Sequence, residues 1–324
     1  MDYSAKKNQR RFQIMSNLQP KGLTISIIFD AMSLNYGEGV GNISELKKLS
    51  RSGELYSYES RQAIRFDTYR LLKEIFGIDS DKEEPLTGDN DVVQFKPEAN
   101  VKDYIEADLF GYMKTEKDKG ALTRPAVVRI NPAISLEPMN LDVEFGTNLN
   151  FAQRAGTNPN PFQFEHHSSL YSYTITIELD KVGKDENDEI DIEPEEKARR
   201  INMLLDVLKI LNRNIKGRME SLNPLFAIGG VYNVKNPFFL GRLKVSYNKE
   251  NRKYSVKTPI IASILDISFN GEKVKDNTHI GIIEGYWENE SDIKELLPDN
   301  QVHNINDFFE ELKKKVNDYY GIKN

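Results

Sequence analysis

Apolar and polar residues alternate along Leu23 to Leu34, with Ile25, Ile27, Phe29 and Ala31 set against Thr24, Ser26 and Asp30. That period of two predicts a strand with one face on a core. The strand runs into Asn35-Tyr-Gly-Glu-Gly-Val-Gly-Asn42, where three glycines admit positive φ and let a ligand approach the backbone. The spacing then becomes helical: Ile64, Leu71, Leu72, Ile75 and Phe76 fall on one broad face. A helix is expected from Ser57 or Tyr58 to Phe76, ended by Gly77.

Residues 78–125 are polar and punctuated by Pro85, Gly88, Pro97 and Gly120, with one apolar patch from Ala107 to Met113; they read as an insertion. Ala126 to Leu136 predicts a second strand, and Ser169 to Leu179, with clear alternation, a third. Pro132, Pro138, Pro159 and Pro161 punctuate the region around and between these strands and predict a protruding hairpin there. From Pro194 to Gly217 the positions Ile201, Leu204, Leu205, Leu208, Leu211 and Ile215 trace the clearest helical stripe. Phe226–Val234 and Leu240–Tyr247 are strand candidates around a Gly229-Gly230 turn, and Tyr254–Ile267 supplies another pair. The chain closes on a helix carrying Ile305, Phe308, Phe309, Leu312 and Val316, with Asn304 or Asn306 as N-cap. The order strand, helix, strand, strand, helix, strand is that of a ferredoxin-like, or RRM-like, split βαβ unit with large insertions, an α+β fold.

Composition narrows the class. The 324 residues, 39% hydrophobic and 29% charged, are those of a globular chain. With no Cys, disulfides, thiolate metal sites and a cysteine nucleophile are excluded, and a reducing compartment, the cytoplasm, is expected. The longest apolar stretch, Leu23 to Met32, is interrupted by Thr24, Ser26 and Asp30 and falls short of the roughly 20 residues of a spanning helix, so no membrane partner is expected. Residues 1–22 carry Lys6, Lys7, Arg10 and Arg11 without an apolar stretch before Pro20, which predicts a mobile basic arm rather than a signal peptide. The net charge of −6 conceals blocks: residues 195–254 hold 13 Lys/Arg against 5 Asp/Glu, and residues 178–196 hold 10 acidic against 2 basic. Opposite blocks of this kind suggest copies meeting head to tail.

Of the chemistry-bearing motifs, Gly37-Glu-Gly-Val-Gly-Asn42 lacks the third glycine of a dinucleotide fingerprint, and no Walker A, His-Glu-x-x-His or Gly-x-Ser-x-Gly sequence occurs. The adjacent His166 and His167 would point to opposite faces of a strand and make no metal site. Asp30 and Glu38 lack a diagnostic spacing for acid–base work. The densest constellation is Lys47, Lys48, Arg51, Arg61 and Arg65, with Ser60 and Gln62 as neutral donors, around the loop and the helix start. Helix N–H groups and guanidinium forks suit anionic oxygens. Asn233 and Lys235 form a second candidate phosphate-facing loop, and Ile134, Leu136, Met139 and Leu141 cluster where the hairpin begins, suited equally to a base wedge and to packing.

Leu34-Asn-Tyr-Gly-Glu-Gly-Val-Gly-Asn-Ile-Ser-Glu-Leu-Lys-Lys-Leu49 and Tyr58-Glu-Ser-Arg-Gln-Ala-Ile-Arg65 resemble the CRISPR-associated autoregulator family, DevR, of type I-B systems. So do Asp108–Met113, Arg129–Pro138 and Phe226–Tyr232. The resemblance implies a non-catalytic backbone subunit of a type I Cascade complex. Copies would polymerise along CRISPR RNA beside other Cascade subunits and present the guide for pairing with a target DNA strand, with no cofactor or metal. It further implies an RRM-like palm (23–77, 126–137 and 169–324), an inserted finger region (78–125) and a thumb hairpin (138–168) that kinks the RNA. The RNA-binding residues it implies are Asn35, Lys47, Lys48, Arg51, Ser60, Arg61, Gln62, Arg65, Asn233 and Lys235, with Leu136, Met139 and Leu141 as the thumb wedge. Two alternatives stay open: a metal-dependent ribonuclease of the type III backbone kind using Glu38, and a DNA-binding autoregulator.

Overall fold

The computed structural model describes residues 19, 21–37, 39, 41–88, 92–116, 120–140 and 142–322. Nearly all of the expected basic arm, together with Glu38 and Leu141, lies outside the described residues.

Strand β1 (Gly22–Met32) is followed by β2 (Ile43–Ser44), β3 (Lys48–Arg51), β4 (Glu54–Glu59) and helix α1 (Arg61–Phe76). Residues 57–59, expected in the helix, instead end β4, and the helix opens only after Ser60, whose extended backbone and side-chain bond to the Ala63 amide cap it. Strands β5 (Leu86–Thr87), β6 (Gln94–Phe95), β7 (Tyr112–Glu116) and β8 (Gly120–Arg124) form their own sheet, with helix α2 (Ile105–Phe110) before β7. This segment has a small core around Phe95, Val101 and Tyr112.

The expected second strand is two, β9 (Val128–Ile130) and β10 (Ala133–Ser135), split at Asn131-Pro132 because proline cannot donate to a ladder. A hairpin of β11 (Asp142–Thr147) and β12 (Pro161–His166) carries helix α3 (Leu149–Ala155) at its tip and pairs with β2. After β13 (Ser168–Glu178) come the short β14 (Lys184–Asp185) and β15 (Ile190–Asp191), then α4 (Pro194–Lys209). That helix stops eight residues before Gly217; Leu211 and Ile215 belong with a hairpin, β16 (Asn212–Ile215) and β17 (Arg218–Ser221). Lys216 (φ 49°) and Gly217 (φ 77°) form its turn, the positive-φ pair that tight hairpins require.

Strand β18 (Phe226–Tyr232) precedes the hairpin β19 (Val245–Asn248) and β20 (Lys253–Val256), helix α5 (Thr258–Leu265) and the short pair β21 (Ser268–Phe269) and β22 (Glu272–Lys273). Last are β23 (His279–Ile282), α6 (Glu290–Lys294), β24 (Val302–Asn304) and α7 (Ile305–Tyr320), which Asn304 caps.

One mixed sheet organises these elements in the order β24-β23-β18-β1-β13-β10-β4-β3, with β9 beside β13. Strand β1 pairs antiparallel with β13 along its whole length and with β18 over Gly22–Ile28. Its odd positions, Leu23, Ile25, Ile27 and Phe29, pack into the core that contains α1, α4 and α7. Its polar face is covered too: Thr24 and Ser26 are 0% exposed, bonded to the Asn236 carbonyl (3.0 Å) and Thr174 Oγ1 (2.6 Å). A second core, with Ile28, Phe226, Phe239, Ile261 and Trp287, buries that face. Alternation marked the strand correctly, but hydroxyls satisfied by neighbours let the polar positions be interior as well.

Gly229 and Gly230 are no turn; both lie within β18. A Cβ at Gly229 would sit 2.0 Å from the Thr24 carbonyl oxygen and one at Gly230 1.8 Å from that of Asn277. Backbone cannot yield as a side-chain tip does, so Gly229→Ala is expected to cost about 2 kcal/mol. An unchanged urea midpoint would contradict this packing.

Candidate functional site

Backbone bonds from three segments converge at the start of α1. The Lys47 amide donates to the Asn35 carbonyl (2.8 Å) and the Tyr58 amide to the Lys47 carbonyl (3.0 Å), lacing the loop after β1 to β4. Asn35 Nδ2 donates to Ser60 Oγ (3.1 Å), which also accepts from the Ala63 amide (3.3 Å). Asn35, Lys47, Ser60, Arg61 and Gln62 thus form one patch, with Arg61 and Gln62 exposed on the first turn. That turn contains no acid, so its amides and the dipole end are unopposed by any carboxylate of the turn. Neither Lys47 nor Arg61 has an ion-pair partner among the described residues.

The remaining candidates do not join the patch as free donors. Lys48 holds Glu165 at 2.8 Å; burial lowers its pKa, but Glu165 outweighs this and raises it. Arg65 bonds Glu106 at 2.9 Å and lies over the Phe110 ring. Lys235 is clasped by Glu178 (2.9 Å) and Asp180 (2.7 Å), and Asn233 donates to Glu272 (2.5 Å). These four side chains are anchors between segments, because partners distant in sequence reach them on folding. Arg51 is exposed at the β3–β4 tip. Leu136, expected in a wedge, packs against the second core, and the Met139 amide is tied to the Leu55 carbonyl (2.7 Å).

Part of each charge block is paired within the chain. Asp185, Asp188, Asp191 and Glu196 of the acidic block meet Arg124, Lys114, Lys197 and Arg200. His166 faces Glu144 (2.8 Å) while buried His167 faces Ser57 (2.7 Å), so the pair indeed diverges.

Several residues of this region carried no usable sequence signal. Arg213, on β16, bonds the Leu34 carbonyl (2.6 Å) and Asp67 (2.6 Å) and stands 3.6 Å from Glu59, pinning the loop after β1 to α1. Glu59 is 0% exposed and neither of its oxygens has a hydrogen-bond partner among the described residues. Burial pushes its pKa up to about 8 against the pull of Arg213, and Asp67 adds to the rise. Lys216 reaches over the rings of Tyr36 (5.3 Å) and Phe164 (4.9 Å). The nearest sequence hint was Tyr36, in the glycine loop.

A family model described as CRISPR-associated negative auto-regulator DevR/Csa2 matches residues 23–252. The chain belongs to the DevR/Csa2 family. It is 32% identical over 165 residues to a CRISPR-associated protein Cas7/Cst2/DevR of Myxococcus xanthus (strain DK1622), covering 44% of this chain and 52% of that protein. The chain therefore spans about half the length of the curated relative it matches. Two solved structures, a "CRISPR RNA-guided surveillance complex" and a "CRISPR RNA-guided surveillance complex, pre-nicking", contain chains of the same fold. Their TM-scores are 0.55 and 0.57, at 12% and 11% identity, over 90% of this DevR/Csa2 chain and 99% and 100% of theirs. Among the described residues no helix is long and apolar enough to cross a membrane.

Proposed function

We propose that this DevR/Csa2 member is a non-catalytic, guide-binding backbone subunit of a type I-B Cascade surveillance complex in the cytoplasm. Copies of it polymerise along CRISPR RNA, alongside other subunits, and present the guide to a target DNA strand. The carrying observation is the patch at the start of α1, where Arg61 and Gln62 are exposed, Lys47 is half-buried without an ion-pair partner among the described residues, and the first turn contains no acid. Such donors grip phosphates whatever the base sequence, leaving the bases free to pair. The antiparallel order β18-β1-β13-β10, with α1 between β1 and β10 and α4 between β13 and β18, supports an RRM-like palm. In this reading residues 78–125 are the finger region and 138–168 the thumb.

Replacing both Lys47 and Arg61 with glutamate is expected to weaken single-stranded RNA binding by about tenfold or more, with the thermal midpoint little changed because neither residue is paired. A folded double variant that still co-purifies with guide RNA would overturn the assignment of this patch. Equal affinity for duplex promoter DNA would favour the autoregulator reading instead, and a Mg²⁺-dependent cleavage ladder abolished by Glu38→Ala would favour the ribonuclease.

A further inference from the structure

We propose that Lys216 is a positioning residue for the guide-binding patch, locking the loop after β1 to the β11–β12 hairpin. The inference rests on the guide-binding reading and says what fixes the shape of that site. Strand β18 pairs with β1 only as far as Ile28, whereas β13 follows it to Met32. Beyond Ile28 the β18 side of β1 therefore has no strand beside it, and its backbone groups need other partners. Side chains of the β16–β17 hairpin supply them. The Met32 amide donates to Glu220 Oε2 (3.2 Å), the Met32 carbonyl accepts from Arg218 Nη2 (3.4 Å), and the Leu34 carbonyl accepts from Arg213 Nε (2.6 Å). Lys216, in the turn of the same hairpin, continues the series two residues on, at Tyr36.

At Tyr36 the contact changes kind. The Lys216 ammonium lies 5.3 Å from the Tyr36 ring and 4.9 Å from that of Phe164 on β12, and it donates to Ser44 Oγ on β2 (3.2 Å). The two ring centroids are 6.0 Å apart, so a single cation stays within the reach of about 6 Å over which a ring attracts it for both. Ser44 and Phe164 are themselves register partners of β2 and β12, and the Tyr36 hydroxyl donates to the Glu165 carbonyl (3.0 Å). One ammonium thus joins its own turn, the glycine loop, β2 and β12. Next to Tyr36 stands Asn35, which donates to Ser60 Oγ at the cap of α1 (3.1 Å) and accepts from the Lys47 amide (2.8 Å). A shift of Tyr36 therefore carries Asn35 with it and disturbs the donors at the start of α1, whose grip depends on being held in place beforehand. A lysine engaged in this way is not a phosphate contact, and salt dependence separates the two roles.

The test titrates labelled single-stranded RNA of mixed sequence against the full chain at several salt concentrations, comparing wild type with Lys216→Met, Lys216→Arg, Phe164→Leu and the Lys216→Met/Phe164→Leu pair. Lys216→Met is expected to weaken binding about fivefold at every salt concentration without changing the slope of log K against log salt, and Lys216→Arg to restore it. Phe164→Leu should weaken binding similarly, and the pair little more than either alone. Wild-type affinity in Lys216→Met overturns the proposal. So does a slope reduced by about 0.7, which would make Lys216 itself a phosphate contact, and so do losses that simply add in the pair. A wild type that binds no RNA overturns the guide-binding reading alone. Hydrogen exchange of the Gly37 and Lys47 amides, bonded to the Glu45 and Asn35 carbonyls, then decides the positioning role: faster exchange in Lys216→Met than in wild type and Lys216→Arg supports it, and equal rates overturn it.

Discussion

Replacing Asp108 with alanine is expected to cost about 4 kcal/mol and to loosen residues 94–124 from the rest of the chain. Asp108 is 0% exposed. Its Oδ1 accepts from Arg124 Nη2 (2.8 Å) and the Gly183 amide (2.8 Å), and its Oδ2 from Arg200 Nη1 (2.8 Å). The two guanidiniums then reach outward, Arg200 to the Val101 and Lys102 carbonyls (2.7 and 2.9 Å) and Arg124 to those of Lys181 and Lys184 (2.9 and 3.2 Å). One carboxylate therefore holds the 86–124 segment, α4 and the loop after β13 together. Removing it leaves Arg200 only Glu196 and Arg124 only the more distant Asp185 as counter-charges, and losing one partner of a buried ion pair costs about 3–5 kcal/mol, more than the pair itself is worth. Urea unfolding measures the loss, and hydrogen exchange over residues 94–124 locates it. A change below about 1 kcal/mol would mean that water or neighbouring carbonyls already satisfy Arg124 and Arg200. Changing all three residues together, to Leu, Met and Met, should recover part of the loss, since no buried guanidinium is then stranded.

The second large effect is a dependence of stability on pH that Glu59→Gln removes. With a folded pKa near 8 against an ordinary 4.5, the native state keeps a proton that the unfolded chain gives up. Stability from this group is full below the unfolded value, falls as pH rises through the window, and is lost above the folded value. Between about pH 6 and pH 8 the loss is on the order of 2 kcal/mol. The Gln variant should therefore gain on wild type by that amount across the interval in urea unfolding; parallel pH profiles would rule the buried, neutral carboxyl out. Tyr173, whose hydroxyl is also buried without a partner and whose pKa is pushed up by burial and then by the charge of Glu59, provides an optical check. Its absorbance should respond to the substitution.

Glu59 also shows how local pattern and tertiary environment differ. Nothing in Tyr58-Glu-Ser60 distinguishes a solvated carboxylate from one enclosed by β13, α1 and β16, because the partners are remote in sequence. The same holds for Lys48, Arg65 and Lys235: their cationic character and their place near the loop were legible, but Glu165, Glu106 and Glu178, which engage them, were not. Arg61 and Gln62 kept the expected exposure because a capped helix start turns its first residues to solvent regardless of what lies behind it.

Periodicity and punctuation alone determined the α+β order, β1, β13, α1 and α7 almost to their ends, the start of α4, and the motifs that carry the family resemblance. Those are properties of neighbouring residues, whose alternation, caps and stops act within a turn or a strand length. Only the tertiary structure decided that Gly229-Gly230 is the place where β18 touches the backbones of Thr24 and Asn277. It likewise decided that the stripe through Ile215 breaks at Lys209 to make a hairpin, and which cations remain without carboxylates. The reason is physical: close backbone approach and charge pairing are set by groups brought together across hundreds of residues, and a charge is free or engaged only once every possible partner has been placed.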